Sequence, residues 1–431
     1  MITVTIWMSL AGSMISAAEP PGPLPPIESV TIGAQREIRV NGEPFLPIMS
    51  WAQAPSSFRE FRAHHFNTFM GMQSGVMPAN QADAARDAGG YAVAEFGIGA
   101  EEAIDHPYLL AWSQRDEPDM PRRREQTATP DAIESARESD GARFQPKVAP
   151  SVTAEIYRNA RKTDPSRPVF VTFTGHFSEQ IRSHYNATQQ AELYTQFAQH
   201  ADVLGFDIYP IYGHGRPGWL NHPAHAARQL VRLGENRKPV YAWIETSKGS
   251  RWMTYENQPD VLPEHTRFQV WGVLIRGATA IGYFTHAWQP TFREFAAEPE
   301  MRQELARLNA RLTRLAPAIL APPADRDIRM RIGDGLHCHF KTTEHDGHLY
   351  IFAQNIDLGP GAADLGQFDP ISPRAGAATF HVPGLSAGST VEVIDEDRTI
   401  AAGNGRFEDR FEPLSEHIYR IPIRELSQSL D

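Results

Sequence analysis

The chain of 431 residues has a single cysteine, Cys338. A lone thiol excludes an intramolecular disulfide framework and the multi-cysteine zinc and iron–sulfur sites, and it removes redox chemistry as a theme. Positive charge is in deficit: 41 Lys and Arg stand against 52 Asp and Glu, for a formal net charge of -11. That balance argues against nucleic acid or an anionic membrane as the main partner. No Gly-rich phosphate fingerprint follows the first predicted strand, no Gly-x-Ser-x-Gly elbow occurs, and no His-x-His pair ends strand one. These absences weigh against a nucleotide-binding open sheet, a serine hydrolase and a metal-dependent barrel hydrolase in turn. What the chain does have is 41% apolar and 22% charged residues, enough to bury at least one large core. An enzyme or a binder of neutral ligands remains, with no cofactor or metal called for.

Ile2 to Ala17 is apolar or small and uncharged, Ser16-Ala17-Ala18 supplies small residues, and prolines follow. Residues 1–18 are therefore expected to be an export signal, which would put a bacterial protein in the periplasm or the medium. The run is too short and too rich in Ser and Gly for a spanning helix, which needs about 20 apolar residues. A lead-in is expected over 19–43. From 44 to 317, short apolar runs alternate with stretches of helical period, the pattern of repeated βα units. The runs fall at 45–51, 66–70, 91–96, 109–113, 169–173, 203–208, 240–244 and 280–284. Eight units in roughly 270 residues match the size of a (β/α)8 TIM barrel, with an open doubly wound sheet as the architectural alternative.

Short helices are expected at 57–64 and 80–87. Longer ones carry Val152 and Ile156, then Leu193 and Phe197, then the stripe Met301, Leu305, Leu308, Leu312 and Leu315 up to a stop at Pro317. Beyond it the period becomes two, and an Asp346-Gly347 turn joins two alternating runs. An antiparallel β-sandwich is expected over 326–424, with a tail at 425–431. The charged stretch 115–145, with Arg122-Arg123-Arg124, reads as a long loop beside the barrel mouth.

Barrel chemistry sits at the C-terminal ends of strands. Strand four runs into Asp116-Glu117-Pro118 and strand seven ends at Glu245. Two carboxyls in unequal environments, one protonated and one ionised, can cleave a glycosidic bond; retention of configuration needs them about 5–5.5 Å apart. Glu117 and Glu245 are the candidates.

The run from His106 through Trp112 to Asp116-Glu117-Pro118, the run Ala201 to Pro210 and the run Lys238 to Glu245 together resemble the clan A glycoside hydrolases, and are similar to families 5 and 42 and their relatives. Asn41-Gly42-Glu43-Pro44-Phe45 with Phe66-Asn67-Thr68 resembles their opening strand pair. The resemblance spans Asn41 to Trp288. It implies a retaining enzyme that cleaves β-linked oligo- or polysaccharide by double displacement, with Glu117 as acid/base and Glu245 as nucleophile. Such enzymes carry Asn before the acid/base; this chain has Asp116 there, an anionic acceptor for a sugar hydroxyl. Trp288 matches a tryptophan that stacks on the cleaved sugar. No arginine matches the one family 5 places near its nucleophile.

Tyr209 is placed to hydrogen-bond Glu245, and Asp207 shares its strand parity, as a substrate ligand or a structural carboxylate with an Arg partner. Trp51, Tyr212, Trp219, Trp252 and Trp288 fall at strand ends, where rings are available to sugar faces. Trp112 and Trp243 lie within strands and read as core, and Gln53 and Gln73, close after strands one and two, read equally as hydroxyl ligands or as loop residues. A non-catalytic carbohydrate binder on a barrel frame is the alternative from another class, and a metal-dependent hydrolase the third.

Overall fold

The computed structural model describes residues 21–123, 143–333 and 336–426. The expected export segment, most of the charged stretch and the end of the tail lie outside these residues. Eight parallel strands close into a barrel: Ile48–Trp51, Thr68–Met70, Tyr91–Glu95, Leu109–Ser113, Val169–Thr174, Val203–Asp207, Val240–Glu245 and Ala280–Phe284. Closure runs through the eighth and first strands, with Ile281 opposite Ile48 and Tyr283 opposite Ser50. The fold is a TIM barrel followed by antiparallel sheets.

The first strand is shorter than the sequence pattern predicts. Glu43–Phe45 leaves the barrel and pairs with Ile38–Val40 in a small antiparallel sheet completed by Val30–Ile32. Pro47 marks the break, since it has no N–H to give to a ladder. Inside the barrel, rings and glycines alternate between neighbouring strands. The Tyr241 ring occupies the space a Cβ on Gly205 would need, and Trp243 does the same at Gly282. Thr172 Oγ1 satisfies both aromatic heads, 2.8 Å from the Tyr241 hydroxyl and 3.3 Å from the Trp243 indole nitrogen.

The helices form where the apolar period places them, with two adjustments. Val152 is exposed, and Thr153 and Ala160 are the buried positions of Pro150–Thr163. Trp112, as expected, is buried, its indole donating to Asp164 at 2.9 Å. The last helix, Pro299–Ile319, continues past Pro317; so near the end, the proline removes only the one bond its N–H would have made four residues back.

The C-terminal part is a five-stranded sheet and a three-stranded sheet. Its leading hairpin joins Cys338–His345 to His348–Asn355, with Asp346 and Gly347 both at positive φ as a two-residue hairpin turn requires. This sheet packs against the barrel's last two helices. Lys341 and Thr343 donate to the carbonyls of Ile319 and Ala318, both at 2.7 Å, satisfying acceptors that the helix end leaves free. Arg311 is the ionic hinge of this contact: it bonds Glu416 at 2.7 Å and Asp395 at 2.8 Å and lies over the Trp271 ring. Glu416 is buried and depends on Arg311 and Arg267 for its charge balance.

Replacing Arg311 with Ala leaves the buried Glu416 carboxylate with Arg267 as its remaining partner, and urea or thermal unfolding should register a loss of about 3 kcal/mol. A change under 1 kcal/mol, on the scale of an exposed pair, would contradict this account of the docking.

Candidate functional site

At the end of the fourth strand, Gln114 turns inward and donates to the carbonyls of Thr153 and His200, both at 2.9 Å. The chain then makes a tight turn through Asp116-Glu117-Pro118-Asp119. Glu117 sits at φ 46, a left-handed conformation costing an L-residue roughly 1–2 kcal/mol. Asp119 secures the turn. Its carboxylate accepts from the Thr174 amide at 3.0 Å, the Thr174 hydroxyl at 2.6 Å and the Tyr194 hydroxyl at 2.6 Å, while its carbonyl accepts from Tyr185. Burial pushes this carboxyl up to about 6 in spite of those donors. Lys147 adds a bond from its ammonium to the Asp116 carbonyl at 2.8 Å.

The turn brings Glu117 to Asp207, the last residue of the sixth strand. The two carboxyls act on each other: burial first and the Glu117 charge second hold the Asp207 carboxyl well above the usual carboxylate range. Asp116 belongs to the same cluster, raised to about 7 by burial and then by Glu117, against the pull of Lys147. The Tyr209 hydroxyl is kept protonated by burial and by Asp207, Glu117 and Asp116 in that order.

Glu245 ends the seventh strand. Its carboxylate is wholly buried and accepts from the Ile211 amide at 3.1 Å, the Tyr212 amide at 2.6 Å and the Gln269 side chain at 2.9 Å. Burial pushes it up to about 7 while those three donors pull it down; no carboxyl of the Glu117 cluster acts on it. Glu117 acts on Asp207, and the described contacts of the Glu245 carboxylate are with Ile211, Tyr212 and Gln269. Tyr209, expected to hold Glu245, faces Asp207 instead, because the turn 209–212 folds back and offers Glu245 backbone amides.

Beside the acidic cluster a cleft of about 410 Å³ opens over the ends of the first, second and eighth strands, within the range of small-ligand sites. Trp51, Gln73, Phe284, His286, Trp288 and Phe292 are among its walls. Cleft and cluster meet where Phe284 packs on Tyr209, ring centroids 5.1 Å apart. Trp51 also rests on Trp243, and only a residue without Cβ fits beneath it at Gly71, where φ is 79.

The other expected residues divide. Trp288 and Trp252 are exposed, at 39% and 57%, whereas Tyr212 is buried with a hydroxyl that has no partner. Trp219 lies against Arg216 and His222. Gln53 is buried, donating to Trp51 O and Thr285 Oγ1, and Gln73 reaches the cleft, where it donates to Glu294. Sequence reasoning missed Asp119, Glu294, His286 and Phe292. Asp119 had a signal, a second acidic residue two places after Glu117; the others had none. Among the described residues, no group of three or more His, Cys, Asp or Glu is arranged to hold a metal ion.

No family model matches the sequence, and neither does any curated protein. Among solved structures the chain is similar to the α-amylase from Geobacillus thermoleovorans complexed with acarbose, at 8% identity and TM-score 0.50, covering 91% of this chain and 94% of that one. It is also similar to the apo exo-carrageenase GH42 from Bacteroides ovatus, at 10% identity and TM-score 0.53, covering 93% of this chain and 85% of that one. At such identities the likeness speaks for the fold.

Removing the Glu245 carboxylate leaves buried amides unpaired, so Glu245→Ala should cost on the order of 3 kcal/mol in thermal or chemical unfolding. An unchanged melting temperature with turnover abolished would restore Glu245 to the chemistry.

Proposed function

We propose that this protein is a glycoside hydrolase that cleaves oligo- or polysaccharide at the mouth of the barrel. The observation that carries the reading is the cluster of carboxyls Asp116, Glu117 and Asp207 at the ends of the fourth and sixth strands, set beside a cleft walled by Trp51, Trp288 and Phe292. Aromatic rings suit the flat C–H faces of sugars, and a glycosidic bond breaks when its oxygen is protonated as it leaves. Burial and the neighbouring Glu117 charge hold the Asp207 carboxyl well above the usual carboxylate range, so Asp207 keeps a proton near neutral pH. Glu117, on the turn outside the strand, passes that proton to the departing oxygen. Asp207, at the strand end beneath it, supplies that proton; a water then bonds to the anomeric carbon in place of the departed oxygen, and the proton it sheds restores the pair. Tyr209 stays protonated and donates toward whichever oxygen lies over the pair.

The resemblance to clan A enzymes points to β-linked substrates. Double displacement through Glu245 would require that carboxylate to leave three donors and become accessible. The pairing in the cluster supports Asp207 as the second carboxyl of the reaction. Both solved structures named above belong to glycan-cleaving enzymes, which agrees with the reading without carrying it.

A panel of polysaccharides with product anomers followed by NMR tests the proposal. Glu117→Gln should fold normally and lose about 10²–10⁴-fold in turnover. Full activity in that variant, or binding of glycans by the native protein with no bond cleaved, would overturn it.

The pH profile supplies a second test. Carboxyls raised by burial hold their protons below their shifted values and lose them above, and Asp116 in this cluster is pushed up to about 7. Turnover that needs the Asp207 proton should therefore be present at neutral and lower pH and fall on the alkaline side, as pH rises through the raised Asp207 value. Asp207→Asn should displace that alkaline limb; a limb unmoved by the substitution would remove Asp207 from the proton path.

A further inference from the structure

The loop after the seventh strand carries Arg251, an exposed residue whose guanidinium carbon lies 5.0 Å from the centre of the Trp288 ring and 5.7 Å from that of Trp252. Among the described residues it makes no ion pair and donates no hydrogen bond. Exposed arginines are often free, but this one is mounted. The Gln258 side chain accepts from the amides of Gly249 at 3.0 Å and Ser250 at 2.9 Å and donates to the carbonyls of Ser250 at 2.7 Å and Met253 at 2.8 Å. Gln289 donates to Ser250 O at 3.0 Å from the next loop. The Trp288 amide donates to Gly249 O at 2.7 Å, and at φ 116 a Cβ on Gly249 would collide with Ala287. Two loops are thus stitched together so that one arginine lies between two exposed tryptophans.

Trp288 lines the cleft. On its other side, Trp252 packs edge-on against Tyr212, ring centroids 6.0 Å apart, and Tyr212 packs on Phe284 of the cleft wall. The Tyr212 hydroxyl is buried without a partner, and the Arg251 charge reaches it. Arg251 therefore belongs to the mouth, on the rim formed by the seventh and eighth strands, while Asp116, Glu117 and Asp207 occupy the rim of the fourth and sixth. One side of the mouth is anionic and the other presents a free planar cation on an aromatic floor. A guanidinium packed on rings still directs its N–H groups outward along its edge, the geometry that carboxylate and sulfate oxygens accept two at a time.

We propose that Arg251 receives the negative substituent, a carboxylate or a sulfate ester, of a charged sugar ring, so that the substrate is an acidic glycan bound with its charge toward the seventh and eighth strands and its scissile oxygen toward Glu117. The inference rests on the glycoside hydrolase reading for the identity of the ligand as a sugar. It revises what the net charge of the chain suggests, a neutral ligand, because the cation that matters is local.

Isothermal titration of the full-length protein tests it, with oligosaccharides of matched length in three sets: uronate-containing, sulfated, and the uncharged counterparts of each. One charged set should bind about tenfold or more tightly than its uncharged counterpart, as a charged hydrogen-bonded contact is worth, and the set that does so identifies the substituent. The preference should shrink with added salt, vanish in Arg251→Gln at unchanged melting temperature, and persist in part in Arg251→Lys. Equal binding of uncharged sugars, a preference that survives Arg251→Gln, or no binding in any set would overturn the proposal. The same samples are assayed for cleavage. Neutral glycans cleaved without any charge preference leave the hydrolase reading standing and remove this one; a charge preference with no bond cleaved does the reverse.

Discussion

The buried carboxylate of Asp119 is the constraint on which the acidic side of the mouth depends. Left to itself, the turn after the fourth strand has no reason to hold Glu117 at positive φ, a conformation that costs roughly 1–2 kcal/mol. Asp119 offsets that cost by tying the turn to the end of the fifth strand through Thr174 and to the helix Ala187–Gln199 through Tyr194. With the turn fixed in this way, Glu117 meets Asp207 on the next strand but one. Every electrostatic property of the pair follows from a placement made by a residue that need not touch a substrate.

The mouth is polarised as a result. Three carboxyls crowd the rim of the fourth and sixth strands, where burial and mutual repulsion favour retained protons. Across the opening, Trp288, Trp252 and Arg251 form an apolar and cationic rim. Tyr209 and Phe284, in contact at 5.1 Å, are the seam between them. A protonated tyrosine suits that position, since it donates without adding to the negative charge.

Most of the fold was legible because a barrel repeats its signal. Each strand is buried on both faces and reads as a short apolar run, and the long stripe from Met301 to Leu315 can only be one helix face. The exceptions have local causes: Pro47 ended a ladder early, and Pro317 came too late in its helix to stop it. Glu117 was singled out by its place just past a barrel strand, where residues border the mouth. Glu245 satisfied the same rule, and its carboxylate is buried among hydrogen-bond donors. Strand parity does not reveal that the turn 209–212 folds over it and supplies two backbone amides. Glu294 was invisible for a related reason, as it meets Gln73 across 221 residues of sequence.

The sequence by itself determined the barrel, the sheets that follow it, the strand ends where chemistry belongs and the carboxylate on the fourth of them, because these are written in periodicity and in residues near one another in the chain. Which carboxyl became its partner, which tryptophans stayed exposed and which arginine stayed unpaired were decided only by the tertiary structure. Burial and the hydrogen bonds of loops distant in sequence set whether a charged group is sealed or presented, and neither is encoded in the spacing of the residue itself.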